Sequence, residues 1–244
     1  MALSDNIVSY WKLDGNSNDA VASNNGTDTS ITYSDANGII NNGAGFGGSS
    51  LVSVANDASL SSDEFSFSFW FKFNPDRTGV IRFIHKENAS PSSYSIFIMD
   101  TLGIHLTVNG AVSIISNTTS FGTTFHHCVV VADGTNLNIY VDGESDETPV
   151  AFSSAINTNT GALTFGNSFD GAMDEVGFWS RALTSTEVTA LYNSGDGLQY
   201  PFGSSDLEIN VNESQSTSED ITGVASLADI KPTETNKKTV KIFQ

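Results

Sequence analysis

The stretch FDGAMDEVGFWSRAL, residues 169 to 183, sets two carboxylates in the middle of a strand-like run. Side chains alternate faces along a strand. Strict alternation puts Asp174 in line with Ala172, Val176 and Phe178, and Glu175 in line with Met173, Gly177 and Trp179. If the Asp174 face is the core, its carboxylate needs company, because buried acids are paired, protonated or metal-bound. A metal ion, Arg181 and the N–H groups of a capped turn are all open as partners, as is a face that is not buried. Glu175, on the opposite face, is expected to be solvated. A second set of oxygens lies in LDGNSND, where Asp14, Asn16, Asn18 and Asp19 recur at the spacing that wraps a hard cation such as Ca²⁺. The run is not an EF-hand loop: Asp19 occupies the glycine position, Asn25 the terminal glutamate position, and no helices flank it. The same Asp-Gly-Asn text is also ordinary turn chemistry.

Sugar binding calls for an aromatic face and fixed polar groups. Trp70 lies on the Ser-Lys side of FSFSFWFKF, opposite the phenylalanines, where a sheet groove would expose it; packing beneath a loop is the competing reading. Asn88, Asn117 and Asn167 are loop amides able to meet sugar hydroxyls, whereas Trp11 and Trp179 read as core. His126 and His127 adjoin Cys128, but neighbours on a strand point to opposite faces and cannot chelate one ion. His85 and His105 complete no zinc spacing. Neither a glycine-rich phosphate loop nor a Ser-His-Asp arrangement is legible.

The elements that must carry these groups are strands. In residues 65 to 73 five phenylalanines alternate with Ser66, Ser68, Trp70 and Lys72, a clear period of two. LGIHLTV runs into Asn109-Gly110, the strongest short hairpin signal, and then AVSII. HHCVVVA and NLNIYV are joined by Asp133-Gly134-Thr135, and Asp142-Gly143 ends the second of them. With YWKL, IRFIHK, YSIFIM, ALTFG and DEVGFW, about ten strands recur at regular spacing, the pattern of an all-β antiparallel sandwich or jelly roll. One short helix begins at the capping box Thr184-Ser185-Thr186-Glu187, with Val188, Leu191 and Tyr192 as its apolar stripe and Gly195 as its stop. Residues 1 to 202 form the expected domain. Residues 203 to 244 lack Trp and Tyr, are rich in Ser, Thr, Glu and Asn, and read as a linker and interaction arm.

Charge narrows the partners. The formal net charge is -18, and no Lys or Arg falls between Lys86 and Arg181. Nucleic acid and anionic membranes are poor partners for such a chain. No run approaches the ~18 apolar residues of a membrane span. The single cysteine, Cys128, sits in an apolar run and reads as a small buried hydrophobe. The start of the chain shows no basic region followed by an apolar run, so export by a Sec-type leader is not expected.

The ordered segments YWKLDGN, EFSFSFWFKF, FHHCVVVADGTNLNIYVDGE and FDGAMDEVGFWSRALTSTEV resemble the laminin-G-like, concanavalin A-like lectin/glucanase superfamily over residues 6 to about 198. Trp70 matches the tryptophan of the family's aromatic strand. Phe125 stands where a Trp commonly precedes the His pair, and Gly177 where a basic residue often follows Asp-Glu-Val. The resemblance implies a jelly roll of two antiparallel sheets with a binding role. It also implies a calcium ion held by Asp174 together with Asp14 or Asp19. Glucanases on this scaffold use a Glu-x-Asp-x-Glu strand; here ESDET offers Glu144 and Asp146, but Thr148 replaces the last acid, so no enzyme activity is expected. The leading expectation is a lectin-like adhesion module for a surface glycan on a virion, such as a phage decoration, fibre or spike. Residues 203 to 244 would hold it to other virion subunits or to sister copies. A purely structural cement protein and a degenerate glycoside hydrolase are the alternatives, as are cytoplasmic residence and non-Sec export.

Overall fold

A computed structural model describes residues 2–73, 79–86, 92–99 and 103–202. The arm expected over 203–244, and Asn88, lie outside the described residues. In chain order the strands are β1 (Ile7–Trp11), β2 (Gly26–Thr29), β3 (Thr32–Ser34), β4 (Gly43–Gly47), β5 (Leu51–Val54), β6 (Phe65–Phe73), β7 (Val80–Lys86) and β8 (Tyr94–Met99). They continue with β9 (Ile104–Val108), β10 (Val112–Ile115), β11 (His126–Ala132), β12 (Asn136–Val141), β13 (Glu144–Ser145), β14 (Val150–Ala151), β15 (Leu163–Gly166) and β16 (Asp170–Trp179). The helix α1 spans Ser185–Tyr192.

The strands form two antiparallel sheets, the jelly-roll sandwich expected from the periodicity. One sheet runs β13-β12-β11-β6-β16-β4-β3, with β14 beside β12 and β1 beside β16. The other runs β10-β9-β8-β7-β15-β5-β2. Since β6 occupies one edge of β16 along its length, β4 and β1 must share the opposite edge. There β4 pairs with 170–173 and β1 with 176–179.

Facing side chains fill the space between the sheets. Phe65, Phe67, Phe69 and Phe71 of β6 are fully buried with Phe178, Ile84, Ile96, Leu106 and Phe165. Ring centroids lie 4.6 Å apart for Phe67–Phe178 and 4.7 Å for Phe71–Phe83, within the range of favourable aromatic contact. Cys128 is buried in this core as expected. Trp11 and Trp179 are also fully buried, with indole N–H groups donating to the Asn24 and Leu3 carbonyls at 2.7 Å.

A second, smaller cluster lies on the outer face of the larger sheet. Val188 and Leu191 of α1 pack there with Leu183 on Tyr10, Val129, Val131 and Trp179. The capping box forms as expected, Thr184 accepting from Glu187 N and Glu187 from Thr184 N. Glu187 also receives both terminal nitrogens of Arg181, at 2.6 and 2.9 Å, so Arg181 is not the partner of Asp174. The helix stops at Asn193, which adopts the left-handed conformation (φ 48°), rather than at Gly195.

Candidate functional site

The outer face of the larger sheet is where the singled-out residues meet. Strict alternation fails in β16. Asp174 pairs with Trp70 and Gly177 with Ser68, leaving one extra residue opposite Phe69. Glu175 carries that bulge at φ 51°, a left-handed conformation uncommon for a side chain of its kind. Met173, Val176 and Phe178 therefore face the core, while Asp174, Gly177 and Trp179 face outward. Asp174 does not share the face of Val176 and Phe178. Gly177 is required beside the bulge, because a Cβ there would lie 2.5 Å from the Trp179 ring.

Outward does not mean exposed. The segment 39–42 and residues 198–199 lie over the bulge. Asp174 is fully buried, and its Oδ2 accepts from Ile39 N at 2.9 Å and Ile40 N at 3.1 Å. Asp174 thus caps a turn. Its Oδ1 has no hydrogen-bond partner. Burial, reinforced by the charge of Glu175 and opposed by the two N–H bonds, pushes its pKa up to about 9. Glu175 is 2% exposed, against the expectation of a solvated side chain. The Tyr10 hydroxyl donates to its Oε2 at 2.5 Å and Gln199 donates to its Oε1. Burial pushes Glu175 up to about 7, with those two bonds working the other way.

Asp14 joins this group. It accepts from Gln199 Nε2 at 3.0 Å and from Asn42 N at 3.1 Å. Asp19 does something else: its two oxygens accept the N–H groups of Tyr10, Val21 and Asn24, which folds the turn after β1. Calcium takes six to eight oxygens. Asp14, Asp19 and Asp174 are instead engaged by N–H donors, leaving Asp174 Oδ1 as the unpartnered oxygen. Among the described residues no group of three His, Cys, Asp or Glu is placed to hold an ion. The three carboxylates do not fit a calcium ion as a set.

Trp70 is 3% exposed, so it is not an open stacking platform. It forms part of an aromatic stack with Tyr192 of α1, at 5.7 Å and 20° between planes, and with His127 at 5.0 Å. His127 Nε2 meets Ser68 Oγ at 2.8 Å, and burial lowers its pKa to about 3, so the ring is neutral. The stack floors a cleft of about 430 Å³ whose walls include Tyr192, Phe125, Lys72, Asp142 and Thr124. Lys72 Nζ donates to the Ala36 carbonyl and lies 4.5 Å from the Phe125 ring centre. Asp142 bonds His126 Nδ1 and His127 N, both at 2.8 Å. Burial works against its charge, yet those two partners hold its pKa below the ordinary carboxylate value.

The cleft therefore combines half-buried aromatic walls, exposed hydroxyls, one ammonium and one carboxylate. Tyr192 and Phe125 belong to it and were not singled out as binding groups by the sequence. Tyr192 counted as helix stripe, and only its hydroxyl on an otherwise apolar stripe hinted at more. Asn117 and Asn167 serve backbone turns elsewhere, Asn167 at φ 63°. Glu144 is exposed, and Asp146 is engaged by Thr118 N and Oγ1 at 2.8 and 2.9 Å. Asp142 is the only carboxylate lining the cleft among the described residues.

The family model described as the concanavalin A-like lectin/glucanases superfamily matches residues 46–189. No curated protein matches the chain. Among solved structures, domain 4 of AbnA, a GH43 extracellular arabinanase from Geobacillus stearothermophilus in complex with arabinotriose, is similar at 19% identity and TM-score 0.64. That similarity covers 75% of this chain and 97% of the domain. The binding domain of Paraclostridial Mosquitocidal Protein 1 is similar at 17% identity and TM-score 0.66, over 80% of this chain and 53% of that one. The binding domain of Botulinum Neurotoxin DC in complex with SialylT is similar at 15% identity and TM-score 0.63, over 79% and 52%. The chain thus spans about half the length of these toxin binding domains. At such identities the likeness is one of fold. The match to the family model covers more than half of the sequence, and the chain belongs to the concanavalin A-like lectin/glucanase superfamily.

Proposed function

We propose that the chain is a non-enzymatic, lectin-like module that binds a glycan in the cleft between Trp70, Tyr192 and Phe125. The cleft itself carries the reading. It has the size of a small-ligand site, about 430 Å³, and pairs aromatic walls with a few fixed polar groups. Tyr192 and Phe125 offer faces for sugar rings, while Asp142, Lys72 and Thr124 offer acceptors and donors for hydroxyls. Hydrolysis of a glycosidic bond uses two carboxylates flanking it. A single one lines this cleft among the described residues, which supports binding without turnover. The similar arabinanase domain and toxin binding domains support the same role.

The test is a glycan array on the full chain, with arabinotriose as the first soluble probe, followed by titration monitored through tryptophan fluorescence. Trp70 stacks on Tyr192, so a bound ring should change its emission. Tyr192→Ala and Phe125→Ala should each weaken the hit by about tenfold or more, as for loss of a stacking partner. A hit unaffected by either variant, or an array without hits, would refute the cleft. The virion setting, with residues 203 to 244 as the attachment, is part of the same proposal. It is supported by the change in composition after the aromatic-rich body. Deleting those residues should abolish co-sedimentation with particles while leaving the glycan titration unchanged.

A further inference from the structure

We infer that the outward face of the smaller sheet is a second sugar site, separate from the Trp70 cleft, and that it takes a carboxylated sugar. The strand register sets two rows across this face. Arg82, Phe97, His105 and Ile115 stand side by side on β7, β8, β9 and β10. One step along the strands, His85, Ser95, Thr107 and Ser113 form a polar row. Neighbours in each row are about 4.8 Å apart, a spacing over which one sugar ring touches two or three side chains.

Charge sets this face apart from the rest of the molecule. The chain has 28 acidic residues, yet β5, β7, β8, β9, β10 and β15 contain no Asp or Glu. Arg82 is half-exposed and forms no ion pair among the described residues. A planar guanidinium presents two parallel N–H donors matched to a carboxylate. Beside it Phe97 is half-exposed, its ring stacked on His105 at 4.8 Å, and Ile115 (42% exposed) continues the apolar strip. That strip suits the C–H face of a sugar ring.

Unused hydrogen-bonding capacity lies on the same face. Ser95 Oγ and His105 Nε2 are buried and have no partner. Both atoms are covered, so the hydroxyls that a sugar meets first on this face are those of Thr107 and Ser113, bonded to each other at 2.6 Å.

The probes are trigalacturonate and sialyllactose, with galactotriose and lactose as neutral counterparts, titrated calorimetrically into the full chain. At least one acid should bind, and its neutral counterpart should bind about tenfold more weakly or not at all. Arg82→Gln should raise the Kd about tenfold, the scale of a charge-assisted bond. Ser113→Glu, at an exposed position, should also weaken binding by placing a carboxylate on the face. Near-UV circular dichroism confirms that each variant keeps its fold. Tyr192→Ala should leave this binding unchanged, which separates it from the cleft. The inference falls if neither acid binds, if the neutral sugars bind equally, if both face variants retain the parent Kd, or if Tyr192→Ala removes the signal.

Discussion

Replacing Asp174 by Asn should stabilise the protein at alkaline pH and leave it unchanged in acid. The folded-state pKa of Asp174 is pushed up to about 9 from 3.8. Below the lower value the group is protonated in both folded and unfolded chains and costs nothing. Between the two values the folded chain holds a proton that the unfolded chain releases, so stability falls as pH rises. Each pH unit costs at most 1.36 kcal/mol, giving a ceiling of about 4 kcal/mol between pH 5 and pH 8. Relaxation around the buried group lowers that ceiling, and about 2 kcal/mol is the expected difference at pH 8. Asn keeps the shape, and its carbonyl can accept the Ile39 and Ile40 N–H groups that Oδ2 accepts now. It has no proton to lose. Glu175 is common to both proteins and its contribution largely cancels. Urea unfolding at pH 4, 6 and 8 measures the comparison directly, with slopes that should match between parent and variant. A variant that loses stability relative to the parent as pH rises would refute the reasoning. That outcome would mean that Asp174 is ionised in the folded chain and that a cation balances it.

Two further outcomes follow from neighbouring parts of the structure. EDTA should leave the melting temperature unchanged and added calcium should not raise it, because a ligand bound only by the folded state would do so and Asp14, Asp19 and Asp174 do not form a ligand set. Glu187→Ala should cost about 3 kcal/mol in chemical unfolding, since it strips the capping box and leaves Arg181, 5% exposed, without its carboxylate.

The parts of the fold that were legible before the structure are those with local causes. Alternating phenylalanines define β6, Asn109-Gly110 turns β9 into β10 with both residues at positive φ, and Thr184 with Glu187 starts α1. Among the described residues there are sixteen strands rather than about ten, because β2, β3, β4, β13 and β14 are short and lack an apolar period and β5 is only four residues long. GAGFG in β4, for example, offers one large side chain. The site was harder to read for a different reason. Alternation assumes an unbroken strand, and a single left-handed residue at Glu175 reverses the assignment of every side chain after it. Nothing in DEVGF announces such a break, since Glu is a poor candidate for that conformation. The turn made by Asp19 and the one capped by Asp174 both draw on the same Asp-rich chemistry that a cation would use, so spacing could not separate them. Tyr192 joins the cleft only because α1 lies across the sheet beside Trp70, which is a long-range event.

The placement of β16 has a consequence for how the chain comes into being. Ile7 pairs with Trp179, and β6 and β16 lie edge to edge although some hundred residues separate them. During synthesis β1, β4 and β6 leave the ribosome well before the strand that joins them. Until β16 arrives, the phenylalanine-rich β6 has an open edge, which invites pairing with a second nascent chain. Distant partners of this kind also slow the search for the native arrangement. Yield from overexpression should therefore depend on translation rate and temperature more than on the stability of the finished molecule.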